Sequence, residues 1–239
     1  MRKGIWILLL FVLALLINHS LSSYPPSRWR DFILLRYYLF NAEKKKAEKK
    51  INEVLEKNAD NPKIILATAQ LLALNGDIEK AEEFLRRAAE KFPNDEIYYF
   101  LGQFLYLQGK MDEAEKSWEK ALQLNPSNPF VLNDLGYLWV EKNKKLDEAI
   151  EMLEKAAKMV RSPEILDSLG WAYLKYGKMK EGLQLLKKAV QGNPYSWEIR
   201  YHLAIAYKQV GDEASAKVEL KKAEILSQRG KIKRGGEWL

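Results

Sequence analysis

The sequence predicts an all-α protein: a solenoid of about six helical hairpins that follows an N-terminal apolar helix. Three observations carry that prediction. A small residue recurs at a step of 34, at Gly102, Gly136, Gly170 and then Ala204, with Thr68 and Leu34 in the same column further back. Residues 95–126 hold two apolar runs at helical spacing, Tyr98, Leu101, Gly102 and Leu105, then Ala114, Trp118 and Ala121, which meet at Gln108-Gly109-Lys110. Small side chains at Gly102, Ala114 and Ala121 let two helices approach closely, and Tyr98, Leu105 and Trp118 fill the remaining space. The third observation is punctuation. Gly76, Gly109, Gly177 and Gly211 end first helices, Pro62, Pro129 and Pro163 open them, and Pro93, Pro126 and Pro194 close second helices.

Taken in order, residues 1–23 begin with Arg2 and Lys3 and continue in an uninterrupted apolar run over residues 5–17. This reads as a secretory signal peptide or an uncleaved membrane anchor. The run is short against the roughly 20 residues of a membrane-spanning helix, and Ser20-Leu21-Ser22 is a poor cleavage site. Either outcome exports the repeats, because Arg2 and Lys3 stay on the cytoplasmic side. The expected location is the periplasmic, extracytoplasmic side of an inner membrane, anchored or released. Residues 24–26 form a linker and residues 27–226 the solenoid, with repeats starting near Ser27, Asn61, Asp95, Pro129, Pro163 and Trp197. The first repeat pairs an apolar first helix (Trp29, Phe32, Ile33, Tyr37, Phe40) with a Lys-rich second one, as expected of a terminal repeat with a solvated face. At Asn143-Lys144-Lys145 the turn is one residue longer than in the third repeat, while the spacing Gly136 to Gly170 stays at 34. Residues 227–239 form a basic, Gly-rich C-terminal tail. The last repeat, or Trp238-Leu239, is expected to meet another chain, giving an oligomer through the C-terminal repeat.

Composition narrows the function classes. At 239 residues and 47% hydrophobic, the chain can bury a sizeable core. It has no cysteine, which removes disulfides, thiolate nucleophiles and Cys-ligated metals. The two histidines, His19 and His202, lie in unrelated contexts, so histidine metal sites and acid–base relays are not expected. No GxSxG, GxGxxG, phosphate loop or HExxH motif is present. Acidic pairs such as Glu82-Glu83 and Asp112-Glu113 lie near second-helix starts, where carboxylates suit the helix dipole. No catalytic residue, cofactor or metal is therefore predicted, and an enzyme is not expected.

The net charge of +7 invites a nucleic-acid reading, so its location decides. Residues 1–60 carry 11 Lys/Arg against 6 Asp/Glu, residues 61–226 carry 24 against 25, and residues 227–239 carry 4 against 1. The excess sits at the ends and the repeat body is neutral. An RNA-binding helical repeat, the alternative reading, needs a basic working face and is disfavoured.

The chain resembles tetratricopeptide repeat (TPR) proteins, strongly over residues 61–226 and weakly over 27–60. The family's large–Leu-Gly–large pattern falls on Tyr98, Leu101-Gly102 and Leu105, and its Ala–aromatic–Ala–Pro pattern on Ala114, Trp118, Ala121 and Pro126. Gly182 departs from the first alanine and Thr68 from the close-contact glycine. The resemblance implies a right-handed superhelical α-solenoid whose first helices line a concave groove for peptides or partner domains. With an export signal it is similar to bacterial envelope TPR proteins that assist pilus, secretion, outer-membrane or exopolysaccharide assembly. The expected function is thus a protein–protein interaction scaffold or adaptor of the cell envelope.

Helical spacing indicates which residues would face that groove. The side adjacent to the packing face carries Tyr99, Gln103 and Tyr106, then Asn133, Tyr137 and Val140, then Asp167, Trp171 and Leu174, then Tyr201 and Ile205. Tyr99, Tyr106 and Tyr201 also suit packing with a polar tip. Tyr137 and Trp171, one repeat apart and flanked by Asn133 and Asp167, have the composition of a binding hot spot. The groove lacks a matched set of Lys and Arg, so a clamp for a peptide's terminal carboxylate is not expected.

Overall fold

Helices are the regular elements of the described residues, twelve in all. The structure, a computed structural model, describes residues 26–41, 43–57 and 61–233. In chain order the helices are α1 (Pro26–Phe40), α2 (Lys44–Lys57), α3 (Pro62–Leu74), α4 (Ile78–Lys91), α5 (Asp95–Leu107) and α6 (Met111–Leu124). They continue as α7 (Pro129–Glu141), α8 (Leu146–Met159), α9 (Pro163–Lys175), α10 (Met179–Gly192), α11 (Trp197–Gln209) and α12 (Glu213–Lys233). Each odd-numbered helix packs on the even-numbered one that follows it. The sequence expectation of an all-α stack of hairpins is met. The apolar run and the first two linker residues, within residues 1–25, and Trp238-Leu239 lie outside the described residues, while Pro26, read from sequence as the last linker residue, opens α1. Among those described, no helix is long and apolar enough to cross a membrane. Helix α12 runs on to Lys233, into the segment read from sequence as tail.

The same chemistry opens each first helix from α3 onward. Asn61, Asn94, Asn128, Ser162 and Ser196 each accept a bond from a backbone N–H in the first turn of the helix they precede. Pro62, Pro129 and Pro163 occupy the first helical positions, where a missing N–H is harmless. Helices α5 and α9 end in the same way. Gly109 at φ 76° and Gly177 at φ 87° take the left-handed conformation that reverses the chain. The next N–H then reaches back, from Lys110 to the Leu105 carbonyl at 2.9 Å and from Lys178 to that of Tyr173 at 2.8 Å. In the longer turn after α7, Asn143 stands in the glycine column at φ 49° and Lys145 follows at φ 46°.

The described residues fall into two compact units divided after Phe92. In the first, Leu35, Val54, Leu55, Ile65, Leu72 and Leu85 form the core. Asp31 on α1 accepts from Lys50 at 3.0 Å and Lys57 at 3.5 Å on α2, which ties the first hairpin together. Thr68 can replace the close-contact glycine because its hydroxyl donates to the Ile64 carbonyl of its own helix at 2.8 Å.

In the second unit, the glycine column marks where helices meet. A Cβ on Gly102 would lie 2.3 Å from the Trp118 ring, and one on Gly136 would lie 3.0 Å from Leu153. Trp118 is buried and donates its indole N–H to the Tyr99 carbonyl at 3.2 Å. Helix α9 meets α10 through a glycine pair: a Cβ on Gly182 would stand 2.8 Å from the Gly170 carbonyl. The first helices α7, α9 and α11 also pack side by side, so one face of each is shared with the next hairpin.

Candidate partner-binding groove

The site lies wholly in the second unit, on first helices α5, α7, α9 and α11. Their inner faces enclose a groove of about 730 Å³. Among the predicted residues, Gln103, Tyr106, Asn133, Tyr137 and Asp167 line it. Tyr99 stands just behind: its hydroxyl accepts from Gln103 Nε2 at 2.7 Å and donates to Asp134. Trp171 does not line the groove but backs it. Its ring stacks on His202 at 4.4 Å and 19°, and its indole N–H donates to Glu141 Oε1 at 2.6 Å. Lys175 Nζ lies 5.2 Å from the same ring, and Trp171 also packs on the core of Leu174, Leu186 and Leu203.

Four further predicted positions do not line the groove: Val140, Leu174, Tyr201 and the partly buried Ile205. Val140 and Leu174 are buried in the core, at 0% and 2% exposure. Tyr201 is half-exposed and lines a separate cavity of about 590 Å³ with Trp197 and Leu220, on the α11–α12 hairpin. The reason is geometric. Each first helix also packs on neighbouring helices, which buries Val140 and Leu174, whereas Tyr201 stays open on the side of α11 that meets α12.

Helical spacing did not single out four titratable residues that line the groove, Asp134, Glu164, Glu198 and His202. Asp134 accepts from Asn133 Nδ2 at 2.9 Å and from Gln103 Nε2 at 3.3 Å. His202 is buried, with Nδ1 at 2.9 Å from Asp167 Oδ2 across the α9–α11 contact. Both belong to one 34-residue column with Ser168, the column that holds Phe100 in the hairpin before. Polar residues replacing an aromatic in that column were the available sign. His202 was set aside because no second histidine or cysteine accompanies it, yet its partner is a carboxylate one repeat away.

The electrostatics are one-sided. Asp134, Glu164, Asp167 and Glu198 line the groove, and no Lys or Arg is among its described lining residues. Burial pushes the Asp134 carboxyl up, against the opposing hydrogen bonds from Asn133, Gln103 and Tyr99. Burial likewise raises Asp167, with His202 opposing. The Tyr137 hydroxyl is pushed well up by burial first and then by Glu141, Tyr106, Asp167 and Glu198. Asn133 Oδ1 is buried and accepts no hydrogen bond from any described residue. No group of three or more His, Cys, Asp or Glu side chains among the described residues could hold a metal ion.

Comparison with known proteins agrees with this architecture. One tetratricopeptide repeat family model matches residues 96–128, and a second matches residues 45–104 and 173–228. The chain is 29% identical over 142 residues to the TPR repeat-containing protein PA4667 of Pseudomonas aeruginosa, covering 59% of this chain and 24% of that protein. It therefore spans about a quarter of that relative's length. The structure of the APC/C hetero-tetramer Cut9-Hcn1 matches with a TM-score of 0.68 at 19% identity, over 90% of this chain and 43% of that one. YrrB, described as a TPR protein with an unusual peptide-binding site, matches with a TM-score of 0.55 at 21% identity, over 74% and 91%.

Proposed function

The chain belongs to the tetratricopeptide repeat family, and from that premise we propose that it is a protein-interaction scaffold holding an extended peptide, or such a segment of a partner protein, in the groove of its second unit. The observation that carries the reading is the groove itself. Four successive first helices contribute directional polar groups around the partly exposed Tyr137 ring. Such a surface recognises a chain and needs no reacting group. The peptide-binding site named for YrrB is consistent with this use of the fold.

The finer reading concerns place. We infer that the scaffold serves assembly of a cell-envelope complex from the extracytoplasmic side. Arg2, Lys3 and the apolar run over residues 5–17 support this, as a signal peptide or an anchor. The outer side of the last hairpin, with Trp197, Tyr201 and Leu220 partly exposed, is a second surface that suits self-association.

The test is site-specific photocrosslinking in the native host. A benzophenone side chain at Tyr137 is expected to capture a discrete partner from envelope fractions, while the same probe at exposed Lys155 captures none. Tyr137→Ala removes capture by a probe at Tyr106 while helicity is unchanged. Equal crosslinking at both positions would remove the groove from the reading. The mature N-terminus, sequenced from the same fractions, decides between signal and anchor, and a purely cytoplasmic pool overturns the envelope assignment.

A further inference from the structure

We propose that the groove selects a cationic segment: an extended peptide stretch bearing Lys or Arg, whose side chain seats over Tyr137 among the carboxylates of α7, α9 and α11. The inference rests on the peptide-binding reading above and adds the chemistry of the guest.

The charged lining of the groove is acidic, from Asp134, Glu164, Asp167 and Glu198, and Glu141 adds its field at Tyr137. Among the described residues, only Asp167 of the four has an ionisable partner of the opposite kind, His202 at 2.9 Å. The bonds that Asp134 receives come from neutral groups, Asn133, Gln103 and Tyr99. Glu198 accepts from Ser196 Oγ at 2.9 Å and Glu164 from Asn193 Nδ2 at 3.2 Å, again neutral donors. The repeat body near this face spends its cations elsewhere: Lys142 and Lys144 bind Glu115, and Arg200 binds Glu219. A guest that brings positive charge gains from this lining, above all from the exposed Glu164 and Glu198, and a guest that brings negative charge loses.

The groove also seeks a donor. Asn133 Nδ2 points at Asp134 Oδ1, which fixes the amide orientation and leaves its buried Oδ1 as an acceptor without a donor. A peptide N–H or an ammonium supplies it. Trp171 is stacked on His202 and flanked by Lys175, which leaves Tyr106 and Tyr137 as the tyrosine rings lining the groove. Tyr137 is the one on α7, between the carboxylates of α7, α9 and α11, and so is placed to receive the cation.

The experiment measures fluorescence anisotropy with the full chain and three labelled octapeptides of one Gly-Ser-Leu framework, carrying two Arg, two Glu or two Ser. The Arg peptide is expected to bind about tenfold or more tighter than the Glu peptide at 50 mM NaCl, and to weaken severalfold at 300 mM NaCl. Glu164→Gln with Glu198→Gln, two exposed positions whose amides still accept the same bonds, should lower Arg-peptide affinity about tenfold and narrow its advantage over the Ser peptide by the same factor. Far-UV circular dichroism and a melting curve confirm that this variant folds. Equal affinity for the three peptides, or an Arg preference that survives both substitutions, overturns the proposal. Photocapture at Tyr137 without any such preference overturns the cationic guest alone and leaves the scaffold reading in place. Binding that appears only after Arg229, Lys231, Lys233 and Arg234 are replaced by Gln would mean that the chain's own basic end fills the groove, and that too would overturn a partner guest.

Discussion

Single residues set how closely the hairpins of this protein approach, and Gly182 shows the competition plainly. Family resemblance expects alanine there, and in an isolated helix alanine would be favoured by about 1 kcal/mol. Here the added methyl would stand 2.8 Å from the Gly170 carbonyl and 2.8 Å from Leu174. A backbone carbonyl cannot step aside, so overpacking, typically about 1–3 kcal/mol, wins. Gly182→Ala should therefore lower stability in urea unfolding despite its better helix propensity; a gain would mean that α9 and α10 separate at little cost. The departure at Gly182 was visible in the sequence. Its reason was not, because it depends on a second glycine across the contact. Trp171 teaches the same lesson from the other side: its spacing marked it as a groove aromatic, whereas its ring is committed to His202 and the core beneath.

Helices meet their neighbours through polar links as well as apolar ones, and the link between α6 and α7 titrates. Glu115 on α6 is 6% exposed. It accepts from Trp139 Nε1 at 2.8 Å, from Lys142 at 3.1 Å and from Lys144. Burial alone would raise its pKa; the bonds from Lys144, Trp139 and Lys142 outweigh that and hold it down to about 2, against an ordinary 4.5. A depressed carboxylate stabilises the fold fully above its unfolded pKa, and that stability is lost as pH falls toward the folded value. Glu115→Gln should cost on the order of 2 kcal/mol at pH 7. In urea unfolding followed from pH 7 down to pH 2, the gap between the two proteins should close below about pH 4.5. A pH-independent gap would mean that the carboxylate charge contributes nothing. The long turn after α7 serves this link, since Lys144 sits between the left-handed Asn143 and Lys145. Sequence spacing showed the extra residue but gave no sign that it aims an ammonium at α6.

At the scale of the molecule, every residue of the groove lies after Phe92. In a hairpin array each repeat draws stability from its immediate neighbours, so four hairpins exceed the roughly three needed for independent folding. Residues 93–239 expressed alone should retain cooperative unfolding and photocapture at Tyr137. An unfolded product, or a folded one without capture, would place part of the groove's support in the first unit. The acidic groove in a chain of net charge +7 also shows why a chain-wide total misleads: the local sign on one face differs from it.

The sequence alone determined the period, the hairpin count, the caps and turns, and the face of each first helix that could look inward. These depend on neighbours within one repeat, and the 34-residue step copies them faithfully. Tertiary structure decided which inward residues stay open. Tyr137 remains at the groove while Trp171, Val140 and Leu174 are covered, and Asp134 and His202 join it, because each outcome depends on the side chain that the next hairpin places against it. Helical spacing specifies a direction; only packing specifies what stands in the way.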